Sequence, residues 1–167
     1  MDDSQTAHYL EMWKQTIAVQ QHFNDIEWRI RGFALTALTF TLGAAAVSAR
    51  DGSAIKLAGQ EIQLSSTISL LGLILWGAFY FVDQIWYHRL LIGAVQHGTA
   101  LEKELQARLP KAGLTMEISA SSPYPASIRL GSYRRSWSLH SARKLTIFYL
   151  IGASVLLVFA IALQLGA

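Results

Sequence analysis

The chain has 167 residues, of which 52% are hydrophobic and only 15% are charged, a balance that argues against an ordinary soluble domain and is usual for a small multi-span membrane protein. The absence of cysteine excludes disulfides, thiolate zinc sites and cysteine nucleophiles. The net charge of +3 is small, so the distribution of the charges along the chain matters more than their sum.

Residues 1–31 are predicted to form a cytoplasmic juxtamembrane helix. Ser4 is a suitable N-cap, and Asp2 and Asp3 are favourable beside the positive end of a helix dipole. Aromatic and aliphatic side chains spread around more than one face of this helix. We therefore expect it to pack against several partners instead of standing free in solution.

Residues 32–49 form an uncharged run and are predicted as the first transmembrane helix. Small side chains recur in it at every fourth position, at Ala37, Thr41, Ala45 and Ala49. Such a stripe lets helix backbones approach closely in lipid, where hydrophobicity alone gives no reason to associate. We predict that the stripe lies in a helix–helix interface, whose partner helix belongs either to the same chain or to another copy. We also predict a homo-oligomer, for which the stripe offers a close-packing interface.

Residues 50–65 are predicted as a short external loop. The Asp51–Gly52 pair is a turn signal, and 55–57 can pair with 61–64 as a small hairpin. The chain then returns through the membrane.

Residues 66–92 are predicted as the second transmembrane helix, since a bilayer core of about 30 Å requires roughly 20 helical residues. The run stays uncharged up to Asp83, and Trp86 and Tyr87 stand where an interfacial aromatic belt is expected. No proline interrupts the pattern before Pro110. We therefore predict one long helix, half in lipid and half in water.

Residues 93–142 are predicted as a basic cytoplasmic segment, helical as far as residue 109 and a loop beyond it. Prolines and glycines interrupt any longer helix in the second half, although 114–119 has the composition of a short strand. Residues 143–167 are predicted as the third transmembrane helix.

The basic residues predict the orientation in the membrane. Twelve Lys and Arg residues precede the first span or follow the second, and only two, Arg50 and Lys56, lie in the loop between them. The positive-inside rule then places the N-terminus and 88–144 in the cytoplasm, and 50–65 and the C-terminus outside. The predicted fold is all-α, a three-span transmembrane bundle with long cytoplasmic helical extensions.

Asp83 is expected to have a cationic partner, because an unpaired carboxylate at the end of a membrane helix has a high free-energy cost. Arg29, Arg31 and Arg89 are its candidate partners by depth, and together the four residues form a predicted membrane-boundary charge network. The structural interpretation is a salt bridge between helix ends. The functional alternative is one member of an acidic ring that lines an ion path.

A basic stretch precedes the third span, and its members are Arg129, Arg134, Arg135, Arg143 and Lys144. Three partners fit this chemistry. Anionic lipid of the inner leaflet is the simplest, and a phosphate-bearing cytoplasmic ligand is the second, because arginine suits bidentate recognition of phosphate. Nucleic acid is the weakest of the three, because only a few aromatic residues are interleaved with the arginines.

Nothing in the sequence has the spacing of a known catalytic or metal motif. The five histidines form no HExxH or His-x-His pattern, and there is no glycine-rich phosphate loop. We expect no cofactor, no metal and no enzymatic activity.

In size and layout the chain resembles the small multi-span membrane effectors of bacterial antiphage defence operons. The resemblance lies in the lead-in His22-Phe23-Asn24-Asp25-Ile26-Glu27-Trp28-Arg29-Ile30-Arg31 and in 83–102. It implies a protein of the bacterial inner membrane that senses a cytoplasmic nucleotide or another cue and permeabilises the membrane.

Two functions follow from this layout as hypotheses. The first is a homo-oligomeric pore or channel, and the resemblance implies that it is a defence effector responding to a cytoplasmic cue. The second is a non-catalytic scaffold or a regulatory subunit of a larger membrane assembly, with a partner protein that the sequence does not identify. Membrane depolarisation on overexpression separates the two.

Overall fold

The fold was examined in a computed structural model, which describes residues 2–57, 59–130 and 133–166. The side chains at 57, 126, 128–130, 133–135 and 137 lie outside this description. The elements in chain order are α1 Asp3–Asp51, β1 Ala54–Leu57, β2 Gln60–Gln63, α2 Leu64–Tyr80, a π-helical segment Phe81–Tyr87, α3 His88–Leu105, α4 Leu114–Ser121, β3 Tyr124–Leu130, β4 Tyr133–Leu139 and α5 Ser141–Leu165.

The chain folds into two compact units, each assembled from separated segments. The polar unit comprises Met1–Glu27 and Trp86–Leu145, and the apolar unit comprises Trp28–Ile85 and Thr146–Ala167. Helix α1 contributes its first half to the polar unit and its second half to the apolar one. The names reflect charge, because most of the charged residues of the sequence belong to the polar unit.

Helix α1 is one continuous helix of 49 residues. At 1.5 Å per residue it is about 74 Å long, more than twice the thickness of a bilayer core of about 30 Å. Only part of it can therefore lie in lipid. It ends at Asp51, and Gly52 follows with a φ of 60°, the left-handed conformation that commonly terminates helices.

The mostly helical architecture predicted from the sequence is confirmed. Three helices of the described chain are long and apolar enough to cross a membrane: Asp3–Asp51, Leu64–Leu105 and Ser141–Leu165. The second of these includes α2, the π-helical segment and α3, so the predicted long helix that follows the external loop is present, with a π-helical turn inside it.

The apolar unit buries small and polar residues together with a few large ones, Trp76, Tyr149 and Leu156, and exposes many large apolar side chains. Its buried residues include Ala34, Ala45, Ser65, Ser66 and Ser69. Its exposed residues include Phe33, Phe40, Leu71, Ile74 and Val158, with Phe40 77% exposed. So many exposed large apolar side chains are unusual for a water-soluble domain, in which most of them are buried. The packing is typical of helices that associate in lipid through small residues.

Close helix contacts in the apolar unit occur at two glycines. The side chain of Thr41 on α1 occupies the space that a Cβ at Gly72 of α2 would need. The indole of Trp76 on α2 lies in the same way on Gly152 of α5. Each glycine therefore allows a neighbouring helix to approach more closely than alanine would.

The polar unit has a small core of ordinary type. Leu101 and Leu105 of α3 are buried, and so is Thr115 at the start of α4. Helix α3 is strongly amphipathic, which suits a helix with one face packed and the other in water.

The segment after α3 differs from the prediction. Helix α3 ends at Leu105 instead of continuing to residue 109. The prediction of a strand over 114–119 is wrong, because these residues lie in α4. Part of the predicted loop is an antiparallel hairpin of β3 and β4, in which Tyr124 is paired with Leu139. Pro125 is compatible with this ribbon because a two-stranded sheet has only edge strands.

The predicted hairpin between the first two apolar helices is confirmed. Strands β1 and β2 are antiparallel, with Ala54 opposite Gln63 and Leu57 opposite Gln60. Gly59, with a φ of 82°, supplies the positive φ that so tight a connection requires.

Candidate functional site

Asp83 lies at the centre of a largely buried polar cluster in the apolar unit. Its side chain has no exposed surface. Arg31 donates from Nε to Asp83 Oδ2 at 2.9 Å and from Nη2 to Oδ1 at 3.2 Å, a bidentate pair. Tyr149 donates its hydroxyl to Asp83 Oδ2 at 3.0 Å. The three residues come from α1, the π-helical segment and α5, so the Asp83 cluster ties three helical segments together.

Aromatic rings surround the Asp83 cluster. Tyr149 contacts Tyr80 edge-on at a centroid distance of 5.3 Å, and Trp76 lies 5.2 Å from Tyr149. The indole nitrogen of Trp76 donates to the backbone carbonyl of Tyr149 at 2.8 Å. The guanidinium carbon of Arg31 lies 5.8 Å from the ring centre of Trp28. Trp76 and Tyr149 are buried, whereas Trp28 is 71% exposed, so the buried rings lie on the Tyr149 side of the cluster.

The π-helical segment determines where Asp83 points. A π-helical turn holds more residues than an α-helical turn, so the faces presented before and after the segment are rotated relative to each other. Such insertions occur frequently at functional sites. Asp83 is the buried residue of this segment.

The predicted charge network is only partly assembled. The structure brings Asp83 and Arg31 together, whereas Arg29 and Arg89 are exposed. Among the described residues neither of these two arginines forms an ion pair with Asp83. Arg29 lies shortly after the junction at 27/28, and Arg89 lies shortly after the junction at 85/86.

The predicted small-residue stripe is divided between inside and outside. Thr41 and Ala45 are buried within the chain, Ala37 is half-buried and Ala49 is exposed. Thr41 contacts α2 at Gly72, so at that level the partner of the stripe is a helix of the same chain. The assembly of copies through this stripe stays a prediction.

The basic stretch is described only in part. The side chains of Arg129, Arg134 and Arg135 lie outside the described residues, although the strand register pairs Arg129 with Arg134. Arg143 is exposed. Lys144 is exposed and donates from Nζ to the carbonyl of Ser122 at 2.8 Å. Contact with lipid or with a phosphate-bearing ligand remains a prediction.

Glu102 is a buried acid of the polar unit and caps a helix. Its carboxylate accepts hydrogen bonds from the backbone amides of Thr115 at 2.7 Å and Met116 at 3.0 Å, at the start of α4. The indole of Trp13 donates to it at 2.9 Å. Burial acts to raise the pKa of Glu102, but these hydrogen bonds outweigh it and hold the pKa below its ordinary value.

A third buried acid belongs to a chain of side chains in the polar unit. His88 Nδ1 lies 3.1 Å from Glu27 Oε1, and His88 Nε2 lies 3.4 Å from Ser141 Oγ. Glu27 and His88 are buried, and Ser141 is exposed. The three residues come from α1, α3 and α5.

A groove of about 260 Å³ runs between α1 and α3 in the polar unit. It is lined by Met12, Gln15, Thr16, Val19, Ala94 and His97. None of the three buried acids lines it. Among the residues that the structure describes, no three His, Asp or Glu side chains are grouped in a way that would hold a metal ion.

Sequence reasoning missed Tyr149, Glu102 and Ser141 as members of polar clusters. Tyr149 stands alone as a phenol inside an apolar span, and that was a usable signal because a buried hydroxyl requires a partner. Glu102 has no local signal, since the helix that it caps begins twelve residues later. Ser141 has no local signal either, because its histidine lies 53 residues away in the sequence.

Comparison with known proteins adds no relative. No family model, curated protein or solved structure matches the chain. The functional conclusion must therefore come from the side-chain arrangement itself.

Proposed function

We propose that the chain is a three-span protein of the bacterial inner membrane that acts as a non-conducting scaffold or regulatory subunit. The apolar unit would supply the spans, and the polar unit would stand in the cytoplasm with the N-terminus. The C-terminus would lie outside, as the distribution of basic residues predicts.

The observation that carries this proposal is the complete burial of Asp83. A selectivity ring requires a carboxylate that faces water and carries its charge toward the ion. Asp83 instead accepts hydrogen bonds from Nε and Nη2 of the positively charged Arg31 and from the hydroxyl of Tyr149, and it has no exposed surface. The arrangement favours a fixed connection between helices over an ion path.

Further support comes from the outer surface of the apolar unit. Apolar side chains such as Phe40 and Ile74 are exposed on helices long enough to span a bilayer. Exposed apolar area of this extent normally marks a surface that is covered by lipid or by protein. A scaffold needs such a surface for its anchor and for its partners.

A homo-oligomeric pore is the second candidate, and an exposed face of α1 favours it. Gly32, Thr36, Thr39 and Gly43 recur at helical spacing and are all exposed. The hydroxyls of Thr36 and Thr39 donate to backbone carbonyls of the same helix, at 3.0 Å each. Copies that packed through this face could assemble a ring without disturbing the interior of each chain.

Flux and assembly measured on the same preparation distinguish the two candidates. The wild-type protein, reconstituted in liposomes loaded with a self-quenched dye and in liposomes with a potassium gradient, should release neither dye nor potassium above empty liposomes. Steady release by the wild type, abolished by Thr39→Leu, would establish the pore and overturn the scaffold.

Native mass spectrometry of matched variants then reports which face holds copies together. If the exposed face of α1 is the interface, Thr39→Leu should shift the wild-type protein toward monomer. Ala45→Leu is the matched comparison, because Ala45 is buried in its own chain and leucine there should destabilise the monomer itself. A wild type that is monomeric in every detergent would refute self-association.

A further inference from the structure

Glu27, His88 and Ser141 are connected in the order acid, histidine, serine, and we call them the Glu–His–Ser set. The carboxylate lies 3.1 Å from Nδ1 of the imidazole, and the hydroxyl lies 3.4 Å from Nε2. Each ring nitrogen therefore has its own partner. This is the connectivity that activates a serine as a nucleophile on several unrelated folds.

The carboxylate defines which nitrogen can act as a base. An acid beside Nδ1 favours the tautomer with the proton on that nitrogen, and Nε2 then presents its lone pair to the hydroxyl of Ser141. A nucleophile activated by a base, which is itself oriented by a third group, is the general signature of nucleophilic catalysis. The distance of 3.4 Å is at the loose end of this geometry, as is common before substrate binds.

The members of the Glu–His–Ser set differ in burial, as nucleophilic catalysis by a serine requires. Glu27 and His88 are almost fully buried, which holds the imidazole in place, whereas Ser141 is exposed and can be reached by a substrate. Ser141 is also the first residue of α5, a helix of 25 residues. The positive end of the helix dipole therefore lies beside the hydroxyl, where it would stabilise negative charge that develops on a substrate oxygen.

Charges near Ser141 favour an anionic substrate. Arg143 and Lys144 stand in the same first turn of α5 and are both exposed. Among the described residues, no acid lies between His140 and the end of α5. An ester next to a negatively charged group would thus meet favourable charge at this site.

We propose that the Glu–His–Ser set is a serine hydrolase centre that cleaves carboxylic esters of anionic membrane lipids. The assignment of the ester to a lipid rests on the proposed membrane location of the apolar unit. Along the chain, Glu27 lies directly before that unit, Ser141 lies five residues before its last segment, and His88 lies three residues after its first segment ends. The ester chemistry itself needs only the polar unit.

The reaction balances with these three groups and water. Ser141 Oγ attacks the ester carbonyl carbon while its proton moves to His88 Nε2. The bond from the carbonyl carbon to the alcohol oxygen then breaks, and the departing oxygen takes that proton. Water attacks the resulting acyl-serine, again giving a proton to Nε2, and the acid leaves as Ser141 Oγ regains the proton. Glu27 acts as a positioning residue throughout.

Covalent labelling of the full chain in detergent is the first test. A fluorophosphonate probe should modify the wild type, and mass spectrometry of the peptides should place the adduct on Ser141. Ser141→Ala should reduce labelling at least about 100-fold, since loss of a triad nucleophile removes most of the activity. Ser138→Ala is the matched control, because Ser138 Oγ lies 3.1 Å from His140 Nε2 and no described carboxylate contacts that histidine.

Variants at the other two positions separate a catalytic set from a structural network. His88→Asn should abolish labelling in protein that still unfolds cooperatively. Glu27→Gln should slow labelling and shift its pH dependence, a change that a merely structural role would not produce. Glu27→Asp should recover part of the rate. Variants that lose stability but label with the wild-type pH profile would overturn the role of the set.

Two substrates then identify the source of the ester. The wild type should hydrolyse p-nitrophenyl butyrate and should release fatty acid from phosphatidylglycerol vesicles, both lost in Ser141→Ala. Hydrolysis of the soluble ester alone would overturn the lipid assignment. An adduct on another residue, or equal labelling of the wild type and Ser141→Ala, would overturn the centre altogether. None of these failures would affect the flux or assembly results that test the scaffold.

Discussion

The two units neutralise their buried acids in different ways. Asp83 in the apolar unit is held by a full positive charge, with Arg31 as a bidentate partner and Tyr149 as a further donor. Glu102 in the polar unit is held by backbone amides and by Trp13, and no described cation contacts it. The ends of amide dipoles satisfy a carboxylate near water, whereas a carboxylate among apolar helices requires a counter-ion.

The two buried acids also differ in the structural elements that they connect. The Asp83 cluster joins residues that are far apart in the sequence and lie on three helical segments, so its loss would affect the whole apolar unit. Glu102 accepts two of its three hydrogen bonds from the start of α4, which follows α3 after a short turn, and the third from Trp13 of α1. We therefore expect a global effect in one unit and a local effect in the other.

The largest effect should come from Asp83→Asn. Removing the carboxylate breaks the ion pair between Asp83, which has no exposed surface, and the largely buried Arg31. Breaking a buried pair in this way costs about 3–5 kcal/mol. Thermal unfolding in detergent should show the loss. The double variant Arg31→Met, Asp83→Leu should recover part of it, because an apolar pair strands no charge. Asp25→Asn changes an exposed acid and should unfold as the wild type does; equal losses in both single variants would contradict the assigned pair.

A smaller loss is expected from Gly152→Ala in the apolar unit. The indole of Trp76 occupies the space that the new Cβ needs, so α2 and α5 must separate or the ring must move. Overpacking of this kind costs about 1–3 kcal/mol. Gly77→Ala is the control in the same unit, since no other group lies within 4 Å of a Cβ placed there. If the two alanine variants unfold alike, Trp76 does not pack on Gly152.

Glu102→Gln should have a more local effect in the polar unit. The amide keeps one acceptor but loses the charge that strengthens the bonds to Thr115 and Met116, at a cost of about 1–2 kcal/mol. Hydrogen exchange should show faster opening of α4, with little change in α2 and α5. Glu104→Gln, at an exposed position of the same helix, provides the reference. Uniform loss of protection across all helices would contradict a local capping role.

Low pH should destabilise the α4 region of the polar unit, because it protonates the carboxylate of Glu102. Because the folded-state pKa of Glu102 lies below its ordinary value of 4.5, its stabilisation is present above pH 4.5. It is lost as the pH falls below that value through the lower folded-state pKa. Exchange of α4 amides, measured from neutral pH downward, should accelerate in that window after correction for intrinsic rates. In the Glu102→Gln variant, the corrected exchange rate of these amides should not change over the same pH range. The same acceleration in this variant would exclude Glu102 as the cause.

Much of the helical architecture could be predicted from composition alone. Long uncharged runs bounded by charges specify apolar helices, whatever the remainder of the chain does. The strand predicted over 114–119 failed because strand propensity depends strongly on context. In the folded chain Glu102 satisfies the first amides of this segment and thereby stabilises a helix, a contact that no local pattern reveals.

The sequence predicted a polar contact only where leaving a charged side chain unpaired would cost much free energy. An acid inside an apolar run requires a cation of similar depth, which is why Arg31 was among the three candidates for Asp83. The choice of Arg31 over Arg29 and Arg89 depends on helix rotation, and the π-helical segment alters that rotation without a sequence signal. The residues of the Glu–His–Ser set come from three different helices, so the spacing of residues along the sequence could not predict their contact.

Accessibility of single cysteines tests the central claim, that the apolar unit lies in lipid, most directly. The chain contains no cysteine, so each variant carries one reporter. In intact cells a membrane-impermeant maleimide should label Ser53→Cys; Lys111→Cys should react only after the membrane is opened. Phe40→Cys, at a position with a highly exposed side chain, should react in neither case while the protein is in membranes, yet should react once denatured. Rapid labelling of Phe40→Cys in membranes, or of Lys111→Cys from outside, would contradict the account.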